Sequence, residues 1–178
     1  GLNVMMFSDN VSIEEERTLK EYADANDLLM MGPDCGTAII HGTPLGFANK
    51  VQQGSVGIVA ASGTGLQQVA CLLDQQEIGL SHAIGTGGRD LHREIGGTTM
   101  SQALLMLAED DATEFIVLIS KPPSREIAER IFQEASSTTK PVIINFLGNS
   151  TLSASLENNI YIADTLEKAA EIAANLAQ

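Results

Sequence analysis

The sequence predicts an α/β protein: a five-stranded parallel sheet between two helical layers, preceded by a smaller βαβ unit. Three observations carry this. Short apolar, β-branched runs fall near 56–61, 81–85, 115–120, 142–147 and 160–163, as expected of strands buried on both faces. Segments of helical period lie between or after them, near 65–76, 99–109, 124–136 and 165–176. Alternation of this kind implies right-handed crossovers and a parallel sheet covered on both sides. Five such strands match a flavodoxin-like, three-layer αβα arrangement.

The opening unit follows from equally local signals. Leu2–Phe7 reads as a strand. Ser12 and Glu15 form a capping box, and the helix runs to about Ala25. Leu28 to Met31 is a second strand, stopped by Gly32-Pro33. Residues 32–53 contain Gly, Pro and Asn without periodicity and read as a linker or long loop. Two strands and one helix cannot bury a sheet on both faces. Residues 1–47 are therefore expected to be the end of a nucleotide-binding-type domain, 48–53 a linker, and 54–178 a second domain. The first turn, Ser8-Asp9-Asn10, has no glycine. Glu14, Glu15 and Glu16 behind it suit a helix start but repel phosphate.

Composition narrows the function classes. The 178 residues carry a formal net charge of −13, the wrong sign for a phosphate-contacting nucleic-acid surface. No apolar run is long enough to span a membrane. Cys35 and Cys71 give neither a disulfide framework nor metal-ligand spacing, which fits a reducing, cytoplasmic setting. The opening GLNVMMF lacks the basic region and cleavage site of a signal peptide, and without an initiator Met the chain reads as an excised piece.

The most informative stretch is 54–73. The strand 56–61 gives way at Ser62-Gly63-Thr64-Gly65 to a helix with Leu66, Val69, Ala70, Leu72 and Leu73 on one side. A strand feeding a helix through small residues leaves backbone N–H groups unpaired at the positive end of the helix dipole. That is an anion site needing no side-chain charge. Ligands of open parallel sheets bind beyond the carboxyl ends of the strands. Here those ends read Ser62-Gly63-Thr64-Gly65, Gly85-Thr86-Gly87-Gly88-Arg89-Asp90, Ser120-Lys121-Pro122-Pro123-Ser124-Arg125 and Gly148-Asn149-Ser150. Arg89, Arg93, Lys121 and Arg125 gather on the same edge, a local positive excess suited to an anionic ligand, with Arg89 as its nearest countercharge.

Standard catalytic motifs fail. There is no GxxxxGK[ST], and Gly63-Thr64-Gly65 continues to Gln68 rather than to a third glycine. Ser62 follows a strand as a nucleophile elbow would, but Ala60 and Thr64 replace the flanking glycines. Asp90 and His92 sit two residues apart on one loop, a poor triad. His41, His82 and His92 form no metal pattern, and His82, at a strand start, reads as structural. Cys71 lies among apolar helix positions. Cys35, in Pro33-Asp34-Cys35-Gly36, is a loop thiol with no adjacent His or Lys to activate it.

These segments together resemble a known family. Met31-Gly32-Pro33-Asp34-Cys35-Gly36, Val56-Gly57-Ile58-Val59 with Ser62-Gly63-Thr64, Ile84-Gly85-Thr86-Gly87-Gly88 and Thr139-Lys140-Pro141-Val142 resemble motifs of succinyl-CoA synthetase α subunits. FSDNV, LLMMGPDCGTAI, ASGTG and GTGGRDL resemble more closely the FdrA branch of the acyl-CoA synthetase superfamily. The resemblance implies that residues 1–47 end a CoA-binding Rossmann domain and 54–178 form a ligase domain. It implies CoA as cofactor, phosphate held at Ser62, Gly63 and Thr64, and a partner subunit of β type. The family's phosphohistidine follows the TKPVV strand, whereas this chain has no His after His92. The FdrA branch also implies carbamoyl transfer with carbamoyl phosphate, in allantoin and purine-nitrogen breakdown, within a carbamoyltransferase-type complex. A homo-oligomer and a non-catalytic scaffold are the other expectations. The candidate site is Ser62, Gly63, Thr64, Gly65, Gly87, Gly88 and Arg89. Around it lie Pro33, Asp34, Cys35, Gly36, Asp90, His92 and Lys121, with no metal.

Overall fold

A computed structural model describes residues 1–146 and 159–177. The opening unit has strand β1 (Val4–Met5), helix α1 (Ile13–Asp24) and strand β2 (Met30–Met31), with β1 and β2 paired in parallel as a separate two-stranded sheet. The Ser12 hydroxyl accepts from the Glu15 amide while the Glu15 carboxylate accepts from the Ser12 amide, so the capping box forms.

The principal sheet is larger than expected, and mixed. Residues read as a loop form a hairpin, β3 (Thr37–Ile40) and β4 (Thr43–Gly46). His41 and Gly42 join them with φ of 47° and 74°, as a two-residue type I′ turn requires. The remaining strands are β5 (Gln53–Ala60), β6 (Leu80–Gly85), β7 (Phe115–Ser120), β8 (Val142–Phe146) and β9 (Ile160–Ile162). Their order is β4-β3-β6-β5-β7-β8-β9, with the last five parallel and β3 antiparallel to β6. The expectation of a five-stranded, wholly parallel sheet is thus corrected to seven mixed strands. The hairpin, assigned by sequence to the first unit, is hydrogen-bonded into the sheet of the second. The loop Gly148-Asn149-Ser150 lies outside the described residues.

The sheet separates two apolar layers. Helices α2 (Gly63–Asp74) and α5 (Leu166–Ala177) cover one face; α3 (Thr98–Glu109) and α4 (Arg125–Ser136) cover the other. Along β7, Ile116 and Leu118 enter one layer while Val117 and Ile119 enter the opposite one. α5 presents Ala169, Ala170, Ala173 and Ala174 to the sheet, and these small side chains allow close approach.

A buried charge network fastens α1 to this body. Lys20, 1% exposed, donates to Asp90 Oδ1 at 2.6 Å and to the Thr86 carbonyl at 2.9 Å. Its Nζ lies 3.2 Å from Glu16 Oε1, and Arg89 Nη2 lies 2.8 Å from Glu16 Oε2. Neither Glu16 oxygen meets hydrogen-bond geometry, so this carboxylate is held by charge alone. Asp90 in turn accepts from the amides of Thr99 and Met100 at 3.3 and 2.9 Å, capping α3 from outside its own chain segment. Removing one member of such a network strands a charge out of water. Lys20→Met is therefore expected to lower unfolding stability by about 3–5 kcal/mol in urea titration. The exposed Arg17–Glu21 pair at 3.8 Å provides the comparison. Arg17→Ala is expected to change stability by less than about 0.5 kcal/mol.

Candidate functional site

The carboxyl ends of β5, β6 and β7 open into a cavity of about 520 Å³. In the parallel part of the sheet the order β6-β5-β7 places a topological switch between β5 and β7, where such sheets hold ligands. One wall is the start of α2. Ser62 is its N-cap, and its hydroxyl accepts from the Gly65 amide at 3.2 Å. The Leu66 amide donates to the Ser62 carbonyl at 2.9 Å. Among the described residues the amides of Gly63 and Thr64 have no protein acceptor, and both residues are exposed in the cavity wall. Thr37, from β3, stands opposite. It is 4% exposed and lines the cavity, with its hydroxyl turned toward Gly63. A Cβ on Gly63 would meet only that hydroxyl, at 3.6 Å. Two backbone donors and a buried hydroxyl thus converge on one space, a geometry suited to an oxyanion.

Gly85, Gly87 and Gly88 form the second wall. Gly87 has φ of 88°, and a Cβ there would collide with the Pro33 carbonyl oxygen. Only glycine lets the 85–88 turn and the 32–37 loop pass so closely. Asp34, Cys35 and Gly36 line the cavity from that loop, Ser8 and Asp9 from the end of β1, and Lys121 from the end of β7. Cys35 is 2% exposed, and its thiol donates to the Thr37 carbonyl at 3.6 Å. Burial pushes this thiol above its ordinary value, which favours the protonated form.

No family model matches the chain. It is 53% identical over 146 residues to Escherichia coli (strain K12) "Uncharacterized protein YahF", covering 82% of this chain and 28% of that protein. It is 28% identical over 156 residues to the Staphylococcus aureus (strain Mu50 / ATCC 700699) succinate–CoA ligase [ADP-forming] subunit alpha, covering 83% of this chain and 48% of the relative. Among solved structures, the Candidatus Korarchaeum cryptofilum dinucleotide-forming acetyl-coenzyme A synthetase 1, in complex with phosphate and ADP, superposes with a TM-score of 0.70 at 18% identity. It covers 96% of this chain and 42% of that one. The Methanosaeta concilii ATP citrate lyase in complex with (3S)-citryl-CoA gives 0.71 at 21% identity, covering 99% and 30%. The chain has the fold of acyl-CoA synthetase-like domains. It spans less than half the length of these curated relatives.

Within that fold the predicted site residues divide. Ser62, Gly63, Thr64, Gly87, Gly88, Asp34, Cys35, Gly36 and Lys121 share the cavity. Gly65 lies beneath it against Ile119, and Pro33 contributes its backbone behind Gly87. Arg89, expected as the countercharge, turns away. Its Nη2 donates to the Val11 carbonyl at 2.7 Å and pairs with Glu16. Asp90 is buried as the partner of Lys20, and His92 lies exposed outside the lining. Arg93 and Arg125 pair with Glu126 and Glu129. The local positive excess is therefore largely neutralised, leaving Lys121 as the one cation of the lining among the described residues. Thr37, Phe7, Phe47 and Gln67 also line the cavity and were missed. His82 lies outside the lining: it packs on His41 with ring centroids 4.3 Å apart, and burial holds its pKa low. Among the described residues no group of three or more His, Cys, Asp or Glu could hold a metal. No helix among them is long and apolar enough to cross a membrane.

Gly63→Val is expected to fold, because φ is ordinary and its Cβ has room, yet to abolish inorganic phosphate binding by filling the oxyanion space. Isothermal titration with circular dichroism as the folding control tests this. Ser62→Ala is expected to cost about 1 kcal/mol of stability through loss of the cap.

Proposed function

We propose that this chain is the phosphate-cradling part of an FdrA-type acyl-CoA synthetase-like protein. The observation that carries the reading is the convergence of the Gly63 and Thr64 amides and the Thr37 hydroxyl on one cavity at the sheet's carboxyl edge. The named relatives support it, since one is a succinate–CoA ligase subunit and one structural neighbour holds phosphate and ADP. In this reading the cavity stabilises a phosphoryl or acyl-phosphate group, CoA is the cofactor, and a β-type partner subunit completes the enzyme. Residues 1–47 close a CoA-binding domain whose last hairpin extends the ligase-type sheet of 54–178. The protein works in the cytoplasm.

The chemistry follows from what the walls lack. The chain's three histidines are His41, His82 and His92, and none lines the cavity. Cys35 is held as a thiol. The cavity therefore offers electrostatic stabilisation of an anion rather than a covalent relay. That observation also favours a second reading, direct transfer of a carbamoyl group from carbamoyl phosphate, with the same amides holding the phosphate.

Incubation of the chain with γ-labelled ATP or acetyl phosphate is expected to leave no acid-labile phosphate on the protein. Stoichiometric phosphohistidine would contradict the cradle-without-relay reading. Titration with inorganic phosphate and carbamoyl phosphate separates the readings. Binding of both supports the cradle, tighter binding of carbamoyl phosphate favours carbamoyl transfer, and binding of neither leaves only a scaffold.

A further inference from the structure

The cavity holds more than an anion needs. Its volume of about 520 Å³ falls within the roughly 300–1,000 Å³ of sites that enclose a whole organic molecule. Two of its walls are aromatic. Phe7, after β1, and Phe47, after β4, meet edge to face with centroids 5.4 Å apart. They remain 58% and 67% exposed. Paired aromatic side chains left open at the mouth of a cavity offer an apolar surface that a bound ligand can cover.

The rings are held in place rather than left loose. The Phe47 amide donates to the Gly36 carbonyl at 2.8 Å, and Gln67 Nε2 from α2 donates to the Phe47 carbonyl at 2.6 Å. A Cβ on Gly36 would press on Phe47 at 3.3 Å and Phe7 at 3.6 Å, so the glycine leaves space for the pair. Gln67 thus ties the aromatic wall to the same helix whose first turn carries the Gly63 and Thr64 amides.

Charge limits the ligand further. Asp9 and Asp34 line the cavity against Lys121, the one cation among its described lining residues. An anion is favoured at the start of α2, and a second negative charge elsewhere on the ligand meets carboxylates.

Taking the cavity as the anion site described above, we infer that its ligand is a small organic anion. It has one anionic head and an uncharged, planar apolar body. The head sits at Gly63, Thr64 and Thr37, and the body lies on Phe7 and Phe47. A compact dicarboxylate is selected against.

Calorimetric titration of the full chain with methyl phosphate, phenyl phosphate and 4-carboxyphenyl phosphate tests this. Phenyl phosphate is expected to bind about tenfold tighter than methyl phosphate, the scale of one aromatic contact with its burial. Phe7→Ala and Phe47→Ala should each shrink that ratio to less than about threefold. Both residues are exposed, and circular dichroism confirms folding. Phe47→Leu, which keeps the apolar volume, should still lose most of the preference if a planar face matters. The 4-carboxyphenyl ester should bind more weakly than phenyl phosphate, and Asp34→Asn should narrow that gap. Equal affinity for methyl and phenyl phosphate, or a preference that survives both alanine variants, overturns this inference while leaving the anion site intact. Failure of all three esters to bind overturns the anion site and the inference together.

Discussion

The burial of Lys20 governs the arrangement on which the cavity depends. One ammonium from α1 bonds the Thr86 carbonyl and the Asp90 carboxylate, and lies beside Glu16. Asp90 then caps α3, and Arg89 returns to Glu16 and the Val11 carbonyl. A group that costs several kcal/mol to desolvate is tolerated only when its partners are fixed. The network consequently fixes where α1 sits, where α3 starts, and how the 86–90 turn runs between them. The Thr86 amide donates to the Ala60 carbonyl at 2.9 Å, so the same turn is anchored to β5. Gly87 and Gly88, the cavity's glycine wall, are held between these anchors. The acidic opening helix is structural through Glu16, and its charge is not available to a ligand.

The proposed anion site has to meet an electrostatic difficulty of the whole chain. A protein of net charge −13 repels anions at long range. Backbone amides at a helix start answer this locally, because their dipoles act over a few ångströms and need no counter-cation. Arg93 and Arg125 could have served but are paired with neighbouring glutamates on the surface. In the proposed reading, recognition rests on position: Ser62 occupies the Gly65 amide and leaves those of Gly63 and Thr64 facing the cavity. Thr37 adds a hydroxyl from a strand antiparallel to the rest of that edge.

The parallel strands were legible because burial on both faces writes a continuous apolar run, as in Ile116, Val117, Leu118 and Ile119. The cap at Ser12 was legible because capping chemistry is local. The hairpin was not, although Thr37–Ile40 is a short apolar run followed by His41-Gly42, a two-residue turn signal. Its strands have only four residues each, and Pro44 and Gly46 obscure the second. Missing it hid Thr37 and Phe47, two of the residues that line the cavity. The role of Arg89 was illegible for a different reason. A basic residue on a glycine-rich loop looks the same in sequence whether it meets a ligand or a buried glutamate 73 positions earlier.

The central claim is that the amides opening α2 hold an anion in this cavity. The most direct measurement is a two-dimensional ¹⁵N–¹H spectrum of the full chain titrated with inorganic phosphate at constant ionic strength. The account predicts saturable shifts concentrated at the amides of Gly63, Thr64 and Thr37, with a common dissociation constant. Shifts absent there, or concentrated around Arg93 and Arg125, would contradict it.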